Sequence, residues 1–129
     1  MKNRFTIPTL IFTVMFSSTS FAGWTKVAEN VNGTYYVDFA RIGKYADYIK
    51  FWELVDLFKP DKDGDLSYKL YQQGDCKLFR YKYLSSSNYK RPMGGGHGED
   101  YNEPDKDWRY PSPYSINEVV LKFVCDYAK

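Results

Sequence analysis

Hydrophobic and polar positions divide the chain into short periodic segments separated by turn-forming residues. Residues 24–31 and 34–39 are apolar-rich runs on either side of Asn32-Gly33. Asn-Gly is favoured in two-residue hairpins because both turn positions need positive φ, so the pattern predicts a hairpin centred there. Residues 38–45 read as a short connector of one helical turn. Residues 48–58 admit two readings. Their polar positions at 50, 53 and 56 recur every third residue, as on a helix face. Their aromatic and β-branched content, and their place after a hairpin, favour a strand covered on both faces. A strand is the expectation, followed by a polar loop over 59–65.

From Leu66 the alternation is clean. Leu66, Tyr68, Leu70 and Cys76 share one parity, while Ser67, Lys69, Gln73 and Asp75 share the other with Tyr71. Past Cys76 the parity flips, so that Phe79, Tyr81 and Tyr83 oppose Arg80 and Lys82. A flip of this kind needs a bulge or turn, expected at Gly74-Asp75, and it groups Cys76 with the core-facing residues before it. Residues 112–127 carry the one helical pattern. Ser115 and Glu118 form a capping box, and Ser112-Pro113 offers an earlier start. Ile116, Val119, Val120, Phe123 and Tyr127 make an apolar stripe with Val124 at its edge. Cys125 then falls nearly opposite the stripe, so either the last turn unwinds or the sheet wraps the helix on more than one side. The fold class is α+β: a mainly antiparallel sheet with one C-terminal helix tethered to it by a disulfide.

The N-terminus sets the compartment. Lys2 and Arg4 precede an apolar run from Ile7 to Phe16, and Ser20-Phe21-Ala22 places small residues where a signal peptidase requires them. Residues 1–22 read as a secretory signal peptide whose apolar run, about ten residues, is too short to span a bilayer. No cysteine follows the cleavage point, so no lipoprotein anchor is expected. The mature chain, 23–129, is one domain without a transmembrane segment, destined for the periplasm, the medium or the cell surface.

Loss of Lys2 and Arg4 from 18 bases leaves 16 against 16 acids. A nucleic-acid partner, which needs a net basic surface, is thereby excluded. Cys76 and Cys125 are the only cysteines, and in an oxidising compartment their disulfide is the default. Two thiols and one histidine lack the spacing of a zinc site, and a thiol nucleophile would have only His97 as its base. His97 sits in a glycine-rich loop expected to be mobile, where it binds nothing or makes a weak metal or haem contact. Asp61, Asp63 and Asp65 have calcium-loop spacing, but Leu66 stands where the loop needs glycine and Gln72 where it needs glutamate. No acid/base couple or phosphate loop is evident, so neither an enzyme nor a cofactor is expected.

Charge is segregated. Residues 77–92 carry five bases and no acid, whereas 99–107 carry five acids and one lysine. These are two solvated faces, or a basic tyrosine-rich contact surface, or two patches that pair across a dimer. On the second reading Arg80, Lys82, Tyr89, Lys90 and Arg91 are the candidate partner-binding residues, able to hold acidic protein segments or sulfated glycans.

The order of these features resembles the surface-adhesin protein E family of Gram-negative bacteria. The resemblance rests on Trp24, Tyr35-Tyr36-Val37-Asp38, the Trp52-to-Asp56 strand followed by Pro60, and Ser67 leading to Asp75-Cys76. The glycine-rich stretch, Trp108 with Pro111, and a terminal helix bearing Cys125 complete it. It implies an antiparallel sheet with a disulfide-tethered helix, contact with host extracellular-matrix and plasma glycoproteins, and leaves a homodimer open. The alternative is a periplasmic envelope protein with an endogenous partner.

Overall fold

The computed structural model describes Ser20, Phe21 and residues 23–129. The signal segment read at 1–22 lies outside the described residues, apart from those two. Eight strands form one antiparallel sheet: β1 (Ser20–Phe21), β2 (Trp24–Glu29), β3 (Gly33–Val37), β4 (Gly43–Tyr45), β5 (Tyr48–Leu57), β6 (Ser67–Asp75), β7 (Arg80–Tyr89) and β8 (Gly98–Tyr101). Among the described residues one α-helix, α1 (Ile116–Ala128), follows. The strand order is β1-β2-β3-β5-β6-β7-β8. β4 shares an edge of β5 with β3, taking residues 48–50 while β3 takes 53–57. The helical turn expected after β3 is a 3-10 turn at Phe39–Arg41.

β5 is a strand because both of its faces are covered. Ile49 and Phe51 pack with Val37 and Tyr81 beneath Val120, Leu121 and Val124 of α1. On the opposite face Leu54 packs with Trp24 and Tyr36, flanked by Trp52 and Met93. The helix rests directly on the sheet. A Cβ on Gly74 would stand 3.1 Å from Leu121 Cδ1 and 3.2 Å from Ile49 Cγ1, so a larger residue there would press on both side chains. The second face is closed by the chain after β7. Met93 N donates to Asp56 Oδ1 at 2.7 Å, and Gly94 N donates to the buried Ser67 Oγ at 2.8 Å. Ser67 in turn donates to Arg91 O at 2.6 Å, so the front of the glycine-rich loop is stitched to the sheet.

Three local expectations need correction. The first hairpin exists, but its turn lies at Asn30–Gly33, and neither Asn32 nor Gly33 has a positive φ. Asn30 Oδ1 accepts from the amides of Asn32 at 2.9 Å and Gly33 at 3.1 Å, so a side chain closes the turn. Glycine is needed at 33 for another reason: a Cβ there would meet Asp56 O at 2.4 Å.

The parity change after β6 is a chain reversal over 76–79, not a bulge at Gly74-Asp75. Cys76 therefore sits in an exposed turn and not in the core-facing row. The bulge lies later, opposite Tyr71–Gln72, where Leu84 is the extra residue of β7.

The helix buries a stripe rotated by one position from the expected one. Val120, Leu121 and Val124 are buried, while Phe123 is 46% exposed. Cys125 lies one turn beyond Leu121, at the edge of the buried face, and reaches Cys76 with Cα atoms 5.6 Å apart. Neither unwinding nor wrapping is required. Tyr127 is exposed at its end but stacks on Phe39 at 5.1 Å. Ser115 caps the helix through Glu118 N, but the Glu118 carboxylate returns to Tyr114 N at 2.9 Å, one residue before the expected partner.

Candidate functional site

The five basic and aromatic candidates fall at two places. Arg80 and Lys82 occupy the start of β7. The Arg80 guanidinium lies 4.4 Å over the Trp108 ring and the Lys82 ammonium 4.8 Å over it. Tyr48 packs against the same indole at 5.3 Å. Arg80 Nε also pairs with the buried Asp75 Oδ2 at 2.8 Å, and Lys82 Nζ donates to Lys106 O at 3.3 Å. Tyr89, Lys90 and Arg91 stand about 30 Å further along the strand, at 3.3 Å per residue. The Lys69 ammonium lies 5.2 Å over the Tyr89 ring, and Arg91 is exposed beside Gly95 and Gly96.

Much of the charge segregation is resolved within the chain. β8 pairs with β7 over Ser86–Tyr89, and the segment around 105–109 continues along the same edge. Arg109 and Tyr81 exchange two backbone hydrogen bonds of 2.8 and 2.9 Å. Asp105 accepts from Tyr83 N at 3.0 Å and from Arg109 Nε at 2.7 Å. Arg109 foremost, with that amide, holds the Asp105 carboxyl below the ordinary carboxylate value despite its burial.

Lys90 has a comparable task. Its ammonium lies 2.8 Å from Asp65 Oδ1 and 2.8 Å from Asp63 O. The carboxylates of Asp61, Asp63 and Asp65 converge within 4.8 Å. Asp61 Oδ1 accepts from the amides of Asp63 and Asp65, its other oxygen accepts from the Tyr68 hydroxyl, and Asn88 donates to Asp65. Amides and a phenol thus answer Asp61, and an ammonium and Asn88 answer Asp65, while Asp63 takes part through its backbone. His97 is exposed and lies outside this cluster.

The larger surface feature was not visible in the sequence. Helix α1 covers only the half of its sheet face nearest the disulfide. Beyond its N-terminal turn an open trough of about 1340 Å³ runs toward the β2–β3 and β5–β6 turns. Val55, Leu70, Tyr35, Tyr68 and Tyr83 line it, continuing the rows that α1 buries elsewhere. Large apolar side chains stand on its rim, with Val31 90% and Tyr114 97% exposed and Phe58 also exposed. Glu53 lies where the trough meets the helix. Its Oε1 accepts from Gln72 Nε2 at 2.5 Å. Burial pushes the Glu53 carboxyl up to about 7, against which the Gln72 bond acts in the opposite direction. Burial likewise pushes the Tyr83 phenol up, with Glu53 adding to the effect. Glu53, Glu29 and Asp61 are the acids of the lining and Lys59 its base. One signal of the site was present in the sequence: a glutamate set among Phe51, Trp52, Leu54 and Val55.

A partly covered sheet face, open and aromatic beside a tethered helix, marks the most extended concave surface on this small sheet-plus-helix domain. The chain belongs to the surface-adhesin protein E family, whose sequence profile matches residues 24–126. Its fold is that of Haemophilus influenzae protein E. The crystal form II structure of that protein superposes with a TM-score of 0.66 at 19% identity, covering 87% of this chain and 94% of the other. A second structure of the same protein gives 0.62 at 17% identity, covering 84% and 88%. No curated protein sequence matches significantly. Family and fold together support an adhesin-like role, and no helix among the described residues is long and apolar enough to cross a membrane.

Proposed function

We propose that this chain is an exported, non-enzymatic binding module that contacts protein ligands, host extracellular-matrix or plasma glycoproteins foremost. The observation that carries the reading is the trough. Contiguous aromatic surface with large apolar side chains on its rim marks an interaction site more often than chance exposure. Glu53 in an otherwise aromatic and apolar part of the lining suits a ligand segment that is apolar and carries a basic side chain. Lys82 and Arg91 are proposed as a second contact, for acidic segments or sulfated glycans. Arg80 and Lys90 support that contact from their ion pairs with Asp75 and Asp65.

The test is capture by the immobilised protein from host matrix and plasma glycoproteins, and separately from periplasmic extract. Two variants accompany the wild type, Val31→Glu with Phe58→Glu and Lys82→Glu with Arg91→Glu. Loss of host glycoprotein in the first variant places the ligand in the trough, and loss in the second places it on the basic side. Undiminished capture by both folded variants removes both surfaces. Capture from periplasmic extract alone replaces the host ligand with an endogenous envelope partner.

A further inference from the structure

Asp38 follows the last residue of β3 and is 6% exposed. Its Oδ2 accepts from Arg41 Nε at 2.6 Å, and Arg41 is the charged group that faces it. Its Oδ1 is buried without a hydrogen-bond partner among the described residues. A buried carboxylate oxygen left unanswered is costly, so a site of this kind calls for a donor that arrives from elsewhere. Gly23 lies beside this carboxylate. A Cβ on that residue would stand 3.6 Å from Asp38 Oδ2 and 3.7 Å from Oδ1, and the Gly23 nitrogen is two bonds from that position. Trp24, the next residue, is buried in the core with Tyr36 and Leu54. Any group created on the Gly23 nitrogen is therefore held beside Asp38 with little chain entropy left to lose.

We propose that proteolytic processing between Ala22 and Gly23 creates a terminal ammonium that pairs with the free oxygen of Asp38, so that the cleaved chain end locks onto the sheet. Hydrolysis of that peptide bond consumes one water and leaves a carboxylate on Ala22 and an ammonium on Gly23. The uncleaved amide offers one neutral N–H, whereas the ammonium offers three donors and a full charge. A chain end one residue earlier would carry its charge up to about 3.8 Å further along the backbone and miss the carboxylate. The inference rests on the signal-peptide reading for the cut itself. The pairing stands or falls separately.

Two measurements separate these. The intact mass of the exported protein is expected to match a chain beginning at Gly23, and a different start overturns the processing step. Purified protein beginning at Gly23 is then compared with protein beginning at Ala22 by thermal unfolding across pH. The Gly23 form is expected to melt about 4 °C or more higher near pH 6.5. Pairing raises the amine above its ordinary value of about 8, so the advantage is complete below that pH and disappears as pH rises through the raised value. Asp38→Asn in both forms should abolish the difference. Should that variant fail to fold, acetylation of the Gly23 form should lower its midpoint to that of the Ala22 form. Equal midpoints for the two starts overturn the pairing even where the mass confirms Gly23.

Discussion

Asp75 and Arg80 close the turn that carries Cys76. Asp75 Oδ1 accepts from the amides of Lys77 and Leu78 at 3.1 Å each, and Oδ2 pairs with Arg80 Nε at 2.8 Å. Burial pushes the Asp75 carboxyl up, but the two amides and the guanidinium outweigh it and hold it below its ordinary value. The same guanidinium continues onto Trp108, so one arginine joins the disulfide turn to the segment that edges β7.

Replacing Asp75 with alanine should cost about 3 kcal/mol, since a buried acceptor of three donors is lost and Arg80 is left without its partner. Urea unfolding at neutral pH gives the number. Because the folded carboxyl is depressed, its contribution is present above the unfolded value of 3.8 and is lost as pH falls through the lower folded value. The variant should lack that acid limb.

Reduction of Cys76–Cys125, or Cys76→Ser with Cys125→Ser, should lower stability by about 4 kcal/mol, the entropy expected for freeing a 49-residue separation. The helix is the element expected to loosen first, because the bridge is its covalent tie to the sheet. Hydrogen exchange should show protection lost in α1 before β5 and β6. Uniform loss across the sheet would argue against this order.

The rotated helix face makes a contrast that one pair of substitutions measures. Leu121→Ala removes a side chain that is 1% exposed and should cost about 2–5 kcal/mol. Phe123→Ala, at a position in the expected stripe but exposed, should stay within about 0.5 kcal/mol. The reverse ranking would restore the stripe read from periodicity.

Periodicity identified the helix and the principal strands, and missed where the physics is set by neighbours. Leu121 and Phe123 are both apolar, and a helix wheel cannot tell which one meets β6. The folded sheet reveals it: Leu121 packs closely against Gly74 of β6. Asn32-Gly33 carried the hairpin signal, yet the Asn30 side chain does the closing. The charge segregation was legible, but the partners were not: Arg80 pairs with Asp75, Lys90 with Asp65 and Asp105 with Arg109, so these ion pairs do not join the two segments to each other. The trough is a property of helix length: α1 begins too late to cover Tyr35 and Tyr68, which stay half-buried in its lining.

Glu53 makes stability depend on pH in the opposite sense to Asp75. Its folded value, about 7, exceeds the unfolded 4.5, so the folded state holds its proton more tightly. Stability is then greatest below about 4.5 as far as this group is concerned, falls as pH rises to about 7, and stays at that lower level above it. The full change is on the order of 3 kcal/mol. Glu53→Gln should keep the hydrogen bond to Gln72 and flatten this limb in urea titrations from pH 4 to 8. A basic ligand in the trough would favour the carboxylate, so its binding should release protons near pH 6 and weaken on acidification.

The central claim, a binding module that meets host glycoproteins, is tested most directly on intact cells expressing the full chain. Membrane-impermeant biotin labelling, followed by recovery of this protein, reports whether it reaches the outside. The account predicts labelling of intact cells, or of protein released to the medium, at a level comparable with that after permeabilisation. Labelling that appears only after the outer membrane is opened would confine the protein to the periplasm and contradict a host-facing role.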